Sequence, residues 1–184
     1  MTYQYDVIGG RASNAFPGTL LNVNNPHEID SGIPNAATPP TRYGDPVVYD
    51  SVTNTFRPVL GTDTSATPIA GFVIKPFPQT STDWPYGSTP TFPEVPSPTQ
   101  TLNILREGTI GVYVCNAAAK PPVQGQPVYV QIIAYGSGAT AIPVGALSAF
   151  AEGTAGADAF AITGATWAVS GVDANGFGAV RYDS

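Results

Sequence analysis

Charged side chains are scarce in this chain of 184 residues, at 11% of the total against roughly 25% in an average soluble domain. Lysine and arginine together number seven, and the formal net charge is −6. Nucleic acid is bound through a clustered basic face, and an acidic membrane surface attracts basic segments. We therefore expect neither nucleic acid nor a membrane among the partners of this protein.

Cysteine is nearly absent, since Cys115 is the single cysteine of the chain. An intrachain disulfide and a multi-cysteine zinc site are therefore excluded. The chain also lacks a basic start followed by an apolar run, and no stretch approaches the roughly 18 apolar residues of a membrane helix. We expect synthesis in the cytoplasm and no bound metal or cofactor.

Glycine and proline are abundant instead, at 20 and 19 residues. They separate short stretches rich in β-branched and aromatic residues, which is typical of an all-β sandwich or barrel. The strongest signals lie within 102–133. There, Ile110, Val112 and Val114 share one face of an extended chain, and a second run around Val128 and Val130 repeats the pattern. We interpret these two runs as adjacent core strands.

Other segments carry weaker strand patterns. Strands are predicted after Gly44 through residue 50, around Phe56 and over 69–74, with a short one near 142–144. A helical turn is predicted near 147–152. The C-terminus predicts a hairpin in which 166–170 pairs with 177–182, and Asn175-Gly176 in the link suits a turn with positive φ.

The distribution of proline and glycine also divides the chain into regions. Residues 1–41 combine many prolines with scattered apolar side chains, which predicts an extended N-terminal arm, or else a strand and loops folded onto the protein's own core. Residues 42–184 would form the β-barrel domain. Within it, 75–101 holds seven prolines and four aromatic residues, and we predict an ordered excursion that touches a neighbouring subunit.

The chain offers little chemistry. His27 is the single histidine, so the 27–30 run His-Glu-Ile-Asp lacks a second imidazole for a metal site, and we interpret it as a turn. Gly9-Gly10 is followed too soon by Pro17 to open a nucleotide-binding helix. Candidate carboxylates for glycoside hydrolysis occur in turns or beside Arg106, where solvation or pairing explains them; they are Asp45, Asp50, Glu94 and Glu107. We predict that the protein is not an enzyme.

Four stretches in a fixed order carry a family resemblance: GDPVVYD at 44–50, IAGFVIKPFP at 69–78, LNILREGTIGVYVCNAAAKPPVQGQPVYVQ at 102–131 and ATWAVSGVDANGFGAVRYD at 165–183. The sequence resembles the capsid cement, or decoration, proteins of tailed bacteriophages. The resemblance covers most of 16–183, and 102–131 is its most specific part.

The resemblance implies a small β-barrel or jelly-roll-like sandwich on the outer surface of an icosahedral virion, made in the host cytoplasm. Such a protein clamps neighbouring major capsid protein subunits, and self-association into a homodimer or homotrimer would strengthen its hold. We expect the arm and the proline-rich loop to make the contacts, unless their large side chains pack on the protein's own core. The candidate contact residues are Phe16, Leu20, Trp84, Tyr86 and Phe92.

Two other interpretations remain. The protein is a carbohydrate-binding module or the base of a head fibre if Trp84 and Tyr86 are exposed and stack on sugars. It is a virion-associated hydrolase if two carboxylates lie close together in a deep pocket.

Overall fold

The structure is a computed structural model that describes residues 17–21, 27–75, 96–136, 141–154, 156–174 and 176–184. Within these ranges every regular element is a strand. In chain order the strands are Leu20–Leu21 (β1), Glu28–Gly32 (β2), Pro46–Asp50 (β3), Thr55–Pro58 (β4), Ile69–Ile74 (β5), Leu102–Tyr113 (β6), Pro127–Gln131 (β7), Leu147–Ser148 (β8), Ala159–Trp167 (β9) and Phe177–Asp183 (β10).

All ten strands belong to one curled sheet. Its order is β4-β3-β5-β6-β10-β9-β7-β8, with β1 and β2 also paired to β6, and the strand pairs are antiparallel. At one end Phe56 of β4 exchanges backbone hydrogen bonds of 2.8 Å with Ile33 and Asn35, just after β2. At the other end Cys115 N donates to the Leu147 carbonyl of β8, also at 2.8 Å. The row of strands therefore bends back on itself at both ends, which confirms the predicted small all-β barrel or sandwich.

Strand β6 is paired on both edges in each of its two halves. In its first half Leu105 lies opposite Phe72 of β5 and Ile29 of β2. In its second half Ile110 lies opposite Leu20 of β1 and Val180 of β10. Because a strand has only two edges, β6 has no edge left for another chain at these positions.

The main core lies on one face of the sheet. The predicted inward face of β6 is confirmed, since Ile110 and Val112 are fully buried and Val114 is 2% exposed. Among the described residues, Trp167 of β9 and Phe72 of β5 are the two largest fully buried side chains. Burial of side chains of this size stabilises a fold by about 1.5–3 kcal/mol each relative to exposure.

A second apolar cluster lies on the opposite face of β3, β5 and β6. Its members alternate with residues of the main core, so Val73 points into the second cluster while Phe72 points into the first. The cluster comprises Tyr43, Val47, Phe56, Ala70, Val73, Leu102 and Ile104. This half of the sheet is therefore apolar on both faces, which explains the continuous apolar run in β5.

Two buried carboxylates tie loops to the sheet. Asp63 accepts two hydrogen bonds from Arg57 of β4, at 2.7 and 2.8 Å, and a third from Leu60 N. Glu152, with its side chain 3% exposed, accepts one bond from Asn116 and one from Lys120, each 2.9 Å long. Since a buried charge is stable only when it is paired, these contacts hold both loops in place.

The predicted pairing of the two central runs is wrong. β6 and β7 do not lie side by side, because β10 and β9 lie between them in the sheet. The inward residues of both strands nevertheless pack in the same core cluster. The side-chain pattern revealed which face is buried, but the partner of each strand depends on distant residues.

Three local predictions are also wrong. The helical turn near 147–152 is replaced by β8 and an irregular stretch, and the short strand near 142–144 is reduced to one bridge between Ile142 and Tyr135. The turn expected at 27–30 is instead largely strand β2, with exposed side chains from Glu28 to Ser31. Pairing with β6 decides this conformation, which the polar sequence of β2 does not indicate.

The C-terminal hairpin is confirmed as a pair of neighbouring strands. Trp167 lies opposite Val180, and Tyr182 lies opposite Ala165. The link is longer than a tight turn, and Gly176 within it has φ +80°. Asn175 lies outside the described residues.

The described part of 1–41 folds onto the sheet. β1 and β2 both pair with β6, as in the second alternative for this region. Residues 1–16 and 22–26 lie outside the described ranges, so the division into an arm and a barrel at residue 41 stays a prediction.

Gly32 provides a test of the sheet closure between β2 and β4. A Cβ atom added to Gly32 would overlap the Phe56 ring, inside the second cluster. We expect Gly32→Ala to lower the free energy of unfolding by about 1–3 kcal/mol, since overpacking forces neighbours to move. Thermal denaturation should show a fall of about 2–4 °C in melting temperature for each kcal/mol.

The neighbouring Ser31→Ala change is the matched control, because Ser31 is exposed on the same strand. Equal melting temperatures for the two variants would contradict the closure described here.

Candidate functional site

The described residues that flank segments 1–16 and 76–95 meet at one place. Lys75 N donates a hydrogen bond of 2.9 Å to the Gly18 carbonyl, and Gly18 N donates one of 2.8 Å to the Gly111 carbonyl. Gly111 N in turn donates to the Thr19 carbonyl at 2.8 Å. We call this set of contacts the Gly18–Lys75 junction. Both long segments therefore join the sheet at neighbouring backbone positions.

Gly18 fits this junction because it has no side chain. Its φ is +81°, in the left-handed region, and an added Cβ would lie 2.6 Å from Tyr43 Cβ and 2.7 Å from Lys75 N. Lys75 Nζ also lies 5.9 Å from the centroid of the Tyr43 ring, within the range of a cation–π contact. The junction is thus close-packed through both backbone and side chains.

Leu20 is the one candidate contact residue that the structure describes. It lies in β1 opposite Ile110, is partly buried, and packs against the main core. Its apolar character is therefore explained in part by the protein's own fold. The other candidates, Phe16, Trp84, Tyr86 and Phe92, lie outside the described residues and stay predictions.

The junction itself was not among the sequence-based candidates. Its visible signals are Pro17-Gly18, which interrupts regular structure, and Gly44-Asp45, a turn that leads into a predicted strand. Gly44 N donates to the Val73 carbonyl at 2.8 Å, so this turn packs beside the junction. Residues 18, 44, 75 and 111 are far apart in sequence, so their contacts cannot be recognised without the order of strands in the sheet.

The described candidate carboxylates Asp45 and Asp50 bond to different neighbours and not to each other. Asp50 accepts hydrogen bonds from Thr53 Oγ1 at 2.8 Å and from Val52 N at 3.0 Å, and the Thr53 bond lowers the pKa of Asp50. Glu107 is exposed on β6, and Glu94 lies outside the described residues. Turn formation therefore accounts for Asp50.

Among the described residues, Asp45 has the largest change in pKa. Burial raises the pKa of Asp45 to about 6, although Arg42 opposes this shift through a bond of 2.9 Å to the carboxylate. The Asp45 side chain is 16% exposed. A lone buried carboxyl beside an arginine is a structural ion pair rather than the acid and base pair that glycoside hydrolysis requires.

The surroundings of His27 and Cys115 indicate a structural role for both side chains. His27 Nε2 lies 3.2 Å from the Leu21 carbonyl, and its ring covers Gly108. Burial raises the pKa of the Cys115 thiol, which disfavours the reactive thiolate. Across the described ranges, no group of three or more His, Cys, Asp or Glu residues is arranged to hold a metal ion. Nor does any helix in those ranges reach the length and apolarity needed to cross a bilayer.

Residues 3–183 match the family model described as structural cement protein (E217 gp24/Pam3 gp6). The chain belongs to the phage cement protein family. The match spans nearly the whole chain, so it includes both the sheet and the two segments that join it at the Gly18–Lys75 junction. The resemblance inferred from residues 16–183 is confirmed.

A chain from a solved phage capsid is similar in fold to this cement protein. A chain from "The capsid of Myoviridae Phage XM1" superposes with a TM-score of 0.65 at 18% sequence identity, covering 100% of this chain and 99% of the other. At this identity the likeness shows the fold alone. No curated protein matches the sequence.

Family membership gives the cement protein its general role. It is a structural protein of the phage virion, it associates with capsid proteins, and its family is not a family of enzymes. This agrees with a site built from backbone contacts and apolar side chains rather than from paired acids and bases.

Asp45 predicts an unusual pH dependence for this cement protein. Because its folded pKa of about 6 exceeds the ordinary 3.8, the folded state holds the proton more tightly than the unfolded state. The resulting stabilisation is fully present below pH ~4 and is lost as pH rises through about 6. Between pH 4 and 7 we expect the free energy of unfolding to fall by up to about 3 kcal/mol more in the wild type than in Asp45→Asn.

Urea denaturation across this pH range measures the difference. Asp50→Asn is the control, because the lowered pKa of Asp50 gives stabilisation that is lost as pH falls, the opposite direction. Parallel pH curves for the wild type and Asp45→Asn would show that Asp45 is not protonated in the folded state near pH 5.

Proposed function

We propose that this cement protein binds the outer surface of an icosahedral phage capsid and links adjacent major capsid protein subunits. The observation that carries the proposal is the Gly18–Lys75 junction. Two long segments, 1–16 and 76–95, join the sheet side by side there, each through a backbone hydrogen bond. A single body with two such segments can contact two neighbouring surfaces at once.

Contacts made at two places strengthen each other. Once one segment is bound, the other is held near its own surface, so its binding is effectively intramolecular. Two weak apolar contacts then retain the protein on the shell far longer than either contact alone. A homodimer or homotrimer at a symmetry axis would increase this retention further.

The described sheet supports this proposal as a stiff spacer. β6 is paired on both edges, and the sheet returns on itself at both ends. A spacer that stretched easily would not resist the separation of capsid subunits under internal pressure. The net charge of −6 also disfavours contact with the packaged genome.

The contact side chains proposed are Phe16, Trp84, Tyr86 and Phe92. Aromatic residues supply large contact areas with few rotatable bonds, and the seven prolines of 75–101 lower the entropy lost on ordering. Leu20 contributes less, because part of its side chain already packs against the main core. We propose no catalytic role, no cofactor and no nucleic acid or membrane partner.

Substitution of Trp84 tests the loop contact. Removal of a buried tryptophan from an interface commonly costs 2 kcal/mol or more. We therefore expect Trp84→Ala to weaken binding to capsids that lack the protein by about 30-fold or more. Co-sedimentation of capsids with increasing amounts of purified protein gives the dissociation constant.

Tyr135→Ala serves as the matched control, because Tyr135 is 46% exposed and lies outside the Gly18–Lys75 junction. Both variants should keep the wild-type melting temperature. The loop contact is disproved if Trp84→Ala and Tyr135→Ala bind capsids as tightly as the wild type.

Deletion of residues 1–15 tests the arm in the same assay. Loss of one of two linked contacts should weaken capsid binding by more than tenfold, while the sheet should remain folded because the deletion stops short of β1. Undiminished binding would remove the arm from the account and leave the loop as the sole proposed contact.

A further inference from the structure

One edge of strand β9 is paired with another strand over only part of its length. On its first edge β9 pairs with β7, where Ala161 lies opposite Tyr129. On its second edge it pairs with β10, but only from Ala165 to Trp167. Among the described residues no strand pairs with 159–163 on this second edge. The pairing of β10 with β9 therefore stops at Ala165, whereas β9 itself begins at Ala159.

A cleft of about 340 Å³ lies along this free edge. Its walls are β9, the loop 65–69 that leads into β5, and residues 182–184. The walls are tied together, since the Tyr182 hydroxyl donates to the Ile69 carbonyl at 2.7 Å. The loop and β10 are therefore held together on one side of the cleft.

The lining of the cleft suits an extended peptide. Hydroxyl groups come from Ser65, Thr67 and Thr163, and apolar surface comes from Pro68 and Phe160. An exposed strand edge presents backbone donors and acceptors that an added strand satisfies, and the flanking side chains select its residues. The fitting occupant is thus a short segment with strand periodicity and mixed polar and apolar side chains.

Residues 3–8 of this chain have that pattern. Tyr3, Tyr5 and Val7 alternate with Gln4, Asp6 and Ile8, so an extended chain would place two aromatic rings and a valine on one face. Six residues span about 20 Å as a strand, whereas the free part of β9 from 160 to 163 spans about 13 Å, because the Ala159 carbonyl already accepts a bond of 2.7 Å from Gly156 N. Tyrosine suits the cleft because its ring is apolar and its hydroxyl can bond to the polar lining.

The direction of β1 favours a segment from another copy. Leu21 lies opposite Thr109, Leu20 lies opposite Ile110, and Gly18 bonds to Gly111. Toward its start, the chain therefore runs along β6 in the direction of Tyr113. The cleft lies the other way, where Tyr182 and Asp183 of β10 pair with Gly108 and Glu107.

We propose that residues 3–8 of one copy add as a strand to the free edge of β9 in a second copy. The exchange would join copies of the protein through their N-terminal segments. It deepens the proposed function by naming the contact for self-association, and it rests on that function only for its role in the virion.

Cysteine cross-linking in the full chain tests this exchange. Cys115 is first replaced by alanine, and Thr163→Cys, which lies exposed in the cleft, forms one partner. An isotope-labelled second chain carries a single cysteine at each of positions 4 to 7 in turn. After oxidation of the mixed chains, mass spectrometry should find cross-links between labelled and unlabelled chains, with a yield that alternates along positions 4 to 7.

Val52→Cys is the matched control for Thr163→Cys, because Val52 is 89% exposed in the turn between β3 and β4. The cleft cysteine should give several-fold more cross-link than this control, and a peptide of residues 2–9 should compete. The same peptide with Tyr5→Pro should not compete, because proline lacks the strand N–H.

Equal yields at Thr163 and Val52 would overturn the proposal, and so would cross-links found only within one chain. The assay uses the isolated protein without capsids. A negative result here would leave the Trp84→Ala capsid-binding result unaffected, so the two proposals fail independently.

Discussion

Pairing of both edges of β6 is the constraint on which the rest of the structure depends. Its first half is held between β5 and β2, and its second half between β1 and β10. Four strands from distant parts of the chain must therefore assemble around one strand of 12 residues. The sheet has to curl to accommodate them, and its inner face becomes the main core. The same assembly brings Gly18, Gly111 and Lys75 together.

Strands with strong apolar alternation were predictable from the sequence, because burial of one face determines both their conformation and their register. β5 and β7 match the predicted segments, and the inward residues of β6 are those expected from the pattern. β2 was missed because its side chains from Glu28 to Ser31 are exposed, so its conformation comes from backbone pairing alone. The adjacency of β6 and β7 was wrong for a related reason. Alternation says which face is buried, whereas neighbours are chosen by the whole sheet.

The candidate site was less accessible to sequence reasoning than the fold. Proline and aromatic content pointed to 75–101 and to the N-terminal region, but not to their common point of attachment. That point depends on a glycine with φ +81° and on hydrogen bonds between residues far apart in sequence. Leu20 illustrates the opposite case, in which an apolar residue assigned to a partner packs against the protein's own core. Large side chains in irregular segments therefore indicate contact, but the identity of the contacting surface needs the fold.

The central claim is that this cement protein links adjacent capsid subunits through segments that leave its sheet at the Gly18–Lys75 junction. A high-resolution map of capsids assembled with and without the protein tests it most directly. The account predicts added density on the outside of the shell that crosses the boundary between two major capsid protein subunits, with the junction facing the shell. Density confined to one subunit, or a junction that faces away from the shell, would contradict it.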